Sequence, residues 1–255
     1  MHGSAPCFPL VDRYHGIRMG FDLAALEPGA LAVVESARWL QREQGYGYLR
    51  ALWWLWLEDG RRAMSVPPGT AAAIGSVARE VRSPDDMFRP EIADRLRRIV
   101  DAALHDAGIG PSDRTLTDLC FACNAALLRP HPGAECRRLT DDAIPPADGL
   151  RLPTHCFPGG IVYGVVADGT VASVAFCHRT GVMEDRVADI GVETAPAYRR
   201  RGFATAAVAA AAGHVIRAGG EARYGCRPDN TASVATARSV GFVPYGNSLV
   251  LAAPA

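Results

Sequence analysis

Lysine is missing from this sequence of 255 residues, because all 27 basic residues are arginine. The protein therefore has no amine side chain that could serve as a nucleophile or form a Schiff base with a carbonyl substrate. The chain also has no net charge of either sign, since 27 acidic residues balance the 27 arginines. A general nucleic-acid binder needs a basic footprint, so we expect no nucleic-acid partner.

Paired cysteines and long apolar runs are also scarce. The seven cysteines are an odd number without regular spacing, which is typical of free thiols in a reducing cytoplasm. Cys120 and Cys123 form one CxxC, but a zinc site would need a second pair of ligands. The N-terminus lacks the features of a signal peptide, and the alanine-rich run 204–212 is too short to span a membrane. We therefore expect a cytoplasmic protein with no metal and no membrane partner.

Apolar patterning divides the chain into residues 1–130 and residues 134–255, with a proline-rich linker at 129–133. The first part is predicted to be an α+β domain of unknown role. Its predicted elements are helices over 30–44, 70–81 and 90–107, a hairpin over 50–66 with Asp59-Gly60 as its turn, and a strand over 119–128. Residues 51–57 are apolar on both faces and rich in tryptophan, which fits plain core, an acceptor pocket or a homodimer interface.

The second part alternates strands and helices. We expect strands over 136–140, 161–167, 171–178, 187–194, 222–227 and 248–252, and helices over 202–218 and 231–240. This order predicts a mixed sheet flanked by helices, in the α+β class. The first part, residues 1–130, fits a diverged relative of the same arrangement.

One predicted strand-to-helix turn carries the pattern of an anion site. The strand ends at Thr194, and Arg199-x-x-Gly202-x-Ala204 opens the next helix. The first-turn amides of a helix have no acceptor inside the helix and lie at the positive end of its dipole, so they can bind a pyrophosphate. Gly202 and Ala204 leave room for that approach, and three consecutive arginines add positive charge.

Together with Asn230-Thr-Ala-Ser233 and Gly241-Phe242, this turn resembles the GNAT superfamily of acyl-CoA-dependent N-acetyltransferases. The resemblance covers about residues 134–251 and implies a GNAT-type sheet that binds acetyl-CoA as a cosubstrate. It implies that main-chain groups of three strand residues bind the pantetheine arm as an extra strand would: Val192, Glu193 and Thr194. It assigns the rest of the coenzyme site to Arg199, Arg200, Arg201, Gly202, Phe203, Ala204, Thr205, Asn230 and Ser233.

The acid-base half of the family pattern is not in its usual places. The usual positions of the general acid and the general base hold Ala188, Ile190, Gly225 and Ala237. Asp189 and Glu193, which share one face of the predicted strand, are the substitute catalytic candidates. That face is opposite to the usual one unless a bulge flips it, and both carboxylates also fit as ion-pair partners of neighbouring arginines. Weaker candidates for proton transfer are His178, Glu184 and Tyr245.

The sequence therefore predicts an N-acetyltransferase that moves an acetyl group from acetyl-CoA to a primary amine, with a small molecule favoured as the acceptor. Two alternatives stay open. One is an enzyme that acetylates an amino group of a protein or peptide. The other is a non-catalytic coenzyme-binding regulatory module, which the displaced acid-base residues favour.

Overall fold

The computed structural model describes residues 6–40, 47–129, 131, 134–141, 143–157 and 159–254. The chain forms two compact units, each assembled from several segments. Unit 1 consists of the chain up to Val11, Phe121–Gly225 and Asp229–Val243, and unit 2 consists of Asp12–Cys120, Cys226–Pro228 and the chain from Pro244 onward. The linear division into 1–130 and 134–255 stays a prediction, and residues 130, 132 and 133 of its linker lie outside the described residues.

The strands of the described residues, numbered in chain order, are β1 Leu31–Glu35, β2 Tyr48–Leu57, β3 Arg62–Val66, β4 Arg114–Cys123, β5 Cys136–Arg138, β6 Val162–Ala167, β7 Thr170–Cys177, β8 Val187–Thr194, β9 Glu221–Cys226 and β10 Val243–Pro254. The α-helices are α1 Pro9–Met19, α2 Ala71–Glu80, α3 Pro84–Met87, α4 Pro90–Asp106, α5 Phe203–Arg217 and α6 Thr231–Val240. The predicted α+β class is therefore confirmed.

Unit 1 contains the strand order β9-β8-β7-β6-β5. β8 and β9 are parallel and are joined through α5, whereas β5, β6, β7 and β8 pair in antiparallel fashion. α5 packs against β6, β7 and β8, and α6 packs against α5. This is the mixed sheet flanked by helices that the sequence predicts, and it leaves the N-terminus of α5 just beyond the end of β8.

Unit 2 contains the order β1-β3-β2-β10-β4. β2 is antiparallel to both of its neighbours, and β1 is parallel to β3. Trp53 and Trp54 of β2 are buried, and Trp54 belongs to an apolar core that also contains Leu96 of α4 and Leu249 of β10. The indole Nε1 of Trp53 donates to Ser248 Oγ at 2.9 Å. Within unit 2, the tryptophan-rich strand therefore packs in the hydrophobic core.

The largest error in the predicted elements is the helix over 30–44. Leu31–Glu35 is instead β1, followed by a 3₁₀ helix over Ala37–Leu40, and residues 41–46 lie outside the described residues. The segment contains Val33 and Val34, whose β-branched side chains favour strands, and parallel pairing with β3 decides the outcome. The strand predicted over 119–128 is displaced, since β4 ends at Cys123 and the chain then turns.

Candidate functional site

β8 keeps its partner on one side but loses its partner on the other side part-way along. Its parallel pairing with β9 runs from Val187↔Glu221 to Ile190↔Tyr224 and ends there. Its antiparallel pairing with β7 continues to Ser173↔Thr194. The two strands β8 and β9 therefore separate after Ile190, and residues 191–194 present an open edge on the side away from β7.

Two hydrogen bonds identify the main-chain groups that point to this open edge. The Asp189 carbonyl accepts a hydrogen bond of 2.8 Å from the residue that follows β7, and the Ala195 N–H donates across the same ladder at 3.0 Å. Partners alternate along an antiparallel ladder, so residues 191 and 193 also direct their N–H and C=O groups towards β7. The main-chain groups of Val192 and Thr194 point the other way, into the gap that β9 leaves.

The alternation corrects one predicted role. The resemblance implies that Val192, Glu193 and Thr194 all bind the coenzyme arm through the main chain. The main chain of Glu193 faces β7 instead, and its carbonyl accepts a hydrogen bond from Ser173 Oγ at 3.1 Å. Val192 and Thr194 remain suitably oriented, and Arg199 Nε donates to the Thr194 carbonyl at 3.4 Å. Only the side chain of Glu193 is able to face a ligand at this edge.

The turn between β8 and α5 has the backbone of an anion-binding loop. Arg200 and Gly202 both adopt left-handed conformations, with φ of 61° and 77°. Alternation of left-handed and right-handed residues curls successive N–H groups into a concave nest that favours anions. Gly202 is the N-cap of α5 and offers no side-chain hydrogen bond, so the first-turn amides keep their capacity for a ligand. Of the described residues, only His131 would approach a β-carbon on Gly202 within 4 Å, with its Nε2 at 3.8 Å.

The open edge and the turn border the same cleft, which has a volume of approximately 610 Å³. Eleven of the predicted coenzyme residues line it: Val192, Glu193, Thr194, Arg199, Arg200, Gly202, Phe203, Ala204, Thr205, Asn230 and Ser233. Arg201 is the exception, since its guanidinium carbon lies 4.8 Å from the ring centroid of Phe203 and 5.2 Å from that of Tyr198. Tyr198 and Thr236 also line the cleft, and the motif spacing gave no signal for them.

Asn230 combines two roles that the sequence left as alternatives. Its Oδ1 accepts a hydrogen bond of 3.1 Å from the N–H of Ser233, which makes it the N-cap of α6. The same residue lines the cleft, and its side-chain NH₂ group has no partner among the described residues. Ser233 is held from the other side, because Tyr224 Oη donates to Ser233 Oγ at 3.1 Å. A capping residue is thus also a donor that a ligand in the cleft can reach.

The two candidate carboxylates have different surroundings. Asp189 is buried, and its Oδ2 lies 2.5 Å from Nη1 of Arg223, its register partner on β9. Glu193 is exposed and lines the cleft. The register of β8 with β7 is constant from Ile190 to Thr194, so the bulge that would turn these side chains to the opposite face is absent from this ladder.

The three weaker candidates for proton transfer lie in different parts of the structure. Tyr245 belongs to unit 2, where its hydroxyl donates to Asp12 Oδ1 at 2.5 Å and burial raises its pKa well above the ordinary value. Glu184 and His178 line a second cleft of approximately 320 Å³, which borders the start of β8 instead of its end.

The described residues contain no group of three or more His, Cys, Asp or Glu side chains arranged to hold a metal ion. Burial raises the pKa of the Cys123 thiol to about 12, which keeps this half of the CxxC motif protonated. In the same part of the chain, no helix has both the length and the apolar character needed to cross a membrane.

Comparisons with known proteins complete the description of the site. Residues 131–242 match the model of a family described as Acetyltransferase (GNAT) family, which is less than half of the chain but includes every residue of the 610 Å³ cleft. No curated protein matches the chain significantly.

Among solved structures, a GNAT-family protein from Novosphingobium aromaticivorans is similar with 19% identity over 58% of this chain and 70% of that chain, at a TM-score of 0.46. A GCN5-related N-acetyltransferase from Kribbella flavida has 17% identity over 68% and 77%, with a TM-score of 0.41. A GNAT-family acetyltransferase from Colwellia psychrerythraea has 15% identity over 58% and 59%, with a TM-score of 0.39. These structural similarities are weak, so the likeness to GNAT acetyltransferases rests on the family match of residues 131–242.

Proposed function

We propose that the protein, whose residues 131–242 match the GNAT acetyltransferase family, transfers an acetyl group from acetyl-CoA to the primary amine of a small molecule. The observation that carries this proposal is that an open strand edge and an anion-binding helix N-terminus border one cleft. Coenzyme A is an extended molecule with amide groups along its arm and phosphates at one end, so it needs both features in this order.

The residues of the cleft would divide the coenzyme between them. The main-chain groups of Val192 and Thr194 would pair with the amides of the arm as a neighbouring strand does. The first-turn amides of α5, Phe203 to Thr205, would bind the pyrophosphate, assisted by the charge of Arg200. The side-chain NH₂ of Asn230 would donate to a carbonyl group of the arm.

The chemical step joins the acceptor nitrogen to the carbonyl carbon of the thioester. The carbon–sulfur bond breaks, the thiolate takes up a proton, and the attacking amine loses one, which yields an amide and free coenzyme A. A primary alkyl ammonium has a pKa of about 10.4, so at neutral pH almost all of the acceptor is protonated, and a group of the protein that takes the proton raises the share that can attack.

Two side chains of unit 1 compete for the role of proton acceptor. Glu193, the sequence-predicted candidate, lines the cleft but lies beside the phosphate-binding turn. His178 lies beside Gly191, where the open edge begins, because a β-carbon on Gly191 would be only 3.0 Å from His178 Nε2. The thioester is at the far end of the arm from the phosphates, so we assign proton transfer to His178 and keep Glu193 as the alternative. Asp189 is buried in an ion pair with Arg223, so we assign it a structural role and no part in proton transfer.

A panel of small primary amines and short peptides, each supplied with acetyl-CoA, tests this function. The measurements are release of free coenzyme A thiol and mass spectrometry of the acetylated product. Steady turnover with small amines and none with peptides supports the proposal, whereas the reverse pattern favours the protein-acetylating alternative. Tight binding of coenzyme A without turnover of any amine would favour the non-catalytic module.

A further inference from the structure

A second cleft lies at the other end of β8. It is lined by the end of β5, the segment just before β6, the end of β7, the β7–β8 loop and the last turn of α5, and its volume is approximately 320 Å³. Val187 lines this cleft and Val192 lines the larger one, so the two are about 17 Å apart along an extended strand. Its size is at the lower limit for small-molecule sites, which suits a metabolite and excludes a folded partner.

His178 connects the small cleft with the open edge of β8. Its imidazole lines the cleft, and its Nε2 approaches the α-carbon side of Gly191. The ring of Phe176 packs edge-on against it, with centroids 5.1 Å apart. A β-carbon on Gly191 would also be 2.8 Å from Phe176, so the glycine allows both rings to lie against β8. A ligand in the small cleft therefore shares His178 with the end of the coenzyme arm.

Two guanidinium groups converge on one wall of the small cleft. Arg138 Nη2 donates to the carbonyl of Gly160 at 3.2 Å, and Arg179 Nη1 is 3.8 Å from the position of a β-carbon on Gly159. A β-carbon on Gly160 would meet the Cys156 carbonyl at 1.9 Å, so only glycine fits beside Arg138. The planar guanidinium group of arginine can donate two parallel hydrogen bonds to a carboxylate. Two such groups beside Gly159 and Gly160 therefore favour the binding of an anion.

Acidic groups line the same cleft. Glu184 and Asp185 belong to the β7–β8 loop, and Glu184 accepts a hydrogen bond of 2.7 Å from the N–H of Gly181. Oε2 of Glu184 lies 3.4 Å from Nε of Arg179, so these two side chains form an ion pair beside the cleft. His214 of α5 adds no positive charge at neutral pH, since burial and the nearby Arg138 and Arg217 lower its pKa. The cleft thus presents guanidinium groups and carboxylates side by side to the same small volume.

We propose that this cleft binds the acceptor, and that the acceptor is a small amine that also carries a carboxylate, as an amino acid does. Its carboxylate lies against Arg138 and Arg179, and its ammonium group lies towards Glu184 and Asp185, within reach of His178. The inference rests on the proposed acyl transfer, because the cleft supplies the acceptor for the coenzyme site at the other end of β8.

Equilibrium binding to the full chain saturated with coenzyme A tests the proposal without any turnover. The probes are four amino acids, each paired with the amine that lacks its carboxylate: lysine and cadaverine, histidine and histamine, tyrosine and tyramine, phenylalanine and phenethylamine. The variants are Arg138→Ala and Arg179→Ala, and Arg137→Ala is the matched control, since Arg137 is an exposed neighbour on β5 that does not line the cleft.

We expect at least one amino acid to bind about tenfold or more tightly than its paired amine. Arg138→Ala or Arg179→Ala should remove that difference, and Arg137→Ala should keep it. Equal binding within every pair, or a difference that survives both cleft variants, would overturn the proposal. Failure of acyl transfer itself has a separate signature, because no amine would then release coenzyme A thiol even where the binding difference is present.

Discussion

Asp189 and Arg223 face each other across the parallel pairing of β8 and β9, with Oδ2 of Asp189 2.5 Å from Nη1 of Arg223. Their side chains are 6% and 11% exposed, so this is a buried ion pair one position before the last paired residues, Ile190 and Tyr224. Removal of one partner from a buried ion pair is strongly destabilising. The pair therefore stabilises the contact between β8 and β9 next to the point at which the open edge begins.

The first prediction concerns this pair. Asp189→Asn should lower the free energy of unfolding by about 3 kcal/mol, because it removes the negative charge that faces the buried guanidinium of Arg223. The double variant Asp189→Asn/Arg223→Met should recover a large part of the loss. Urea denaturation of the single and double variants measures both values, and an unchanged midpoint for Asp189→Asn would contradict the structural role.

The second prediction separates the two candidate proton acceptors. His178→Gln should lower kcat by about 10² or more, while the Kd for coenzyme A is unchanged. The residual rate should then climb with pH towards the pKa of the amine, about 10.4, since only the neutral amine can attack. Glu193→Gln should keep a near-normal kcat. The opposite order of the two losses would return the role to Glu193.

The third prediction compares two glycines at the ends of α5. Gly202 and Gly219 have φ of 77° and 81°, and no atom of the described residues lies within 4 Å of a β-carbon on Gly219. Alanine at either position should cost about 1 kcal/mol of folding free energy, because both are left-handed. Only Gly202→Ala should also weaken coenzyme A binding, by about tenfold, since the new methyl group stands beside the first-turn amides. Isothermal titration of both variants checks this, and equal affinities would remove Gly202 from the anion site.

The fourth prediction concerns thiol reactivity. Of the seven cysteines, Cys7 is exposed, whereas burial raises the pKa of Cys136 to about 12 and that of Cys226 to about 11. A raised pKa keeps a thiol protonated and unreactive until the pH approaches it. A disulfide reagent should therefore modify one thiol of the native protein rapidly at pH 8, and Cys7→Ser should abolish that phase. Rapid modification of several thiols would show that the buried ones open to solvent.

Sequence patterns brought together the residues that line the 610 Å³ cleft more fully than they described the first part of the chain. The predicted bounds 187–194 and 231–240 coincide with β8 and α6. α6 is bounded by strong local signals, the N-cap Asn230 and the left-handed Gly241. The direction of the main-chain groups of Glu193 was not predictable from the sequence. The pairing register with β7 sets this direction, and that register depends on a separate strand.

The helix predicted over 30–44 failed for a related reason. Its apolar residues fit a helical period, yet pairing with β3 makes Leu31–Glu35 a strand. The two clefts also differ in how far the sequence alone can predict them. The large one follows from two local motifs, whereas the small one joins Arg138, Gly160 and Glu184 from separate segments, and no spacing in the sequence connects them.

The pairing of β2 with β10 has a consequence for protein synthesis. Trp53 and its hydrogen-bond partner Ser248 are separated by 195 residues. At about 5–20 residues per second, roughly 10–40 s pass on the ribosome between the two. During this interval the apolar strand β2 lacks one of its two neighbours, and its exposed backbone groups are a template for pairing with another nascent chain. Slow translation of the intervening segment should therefore favour aggregation, and a chaperone that shields β2 should favour the native fold.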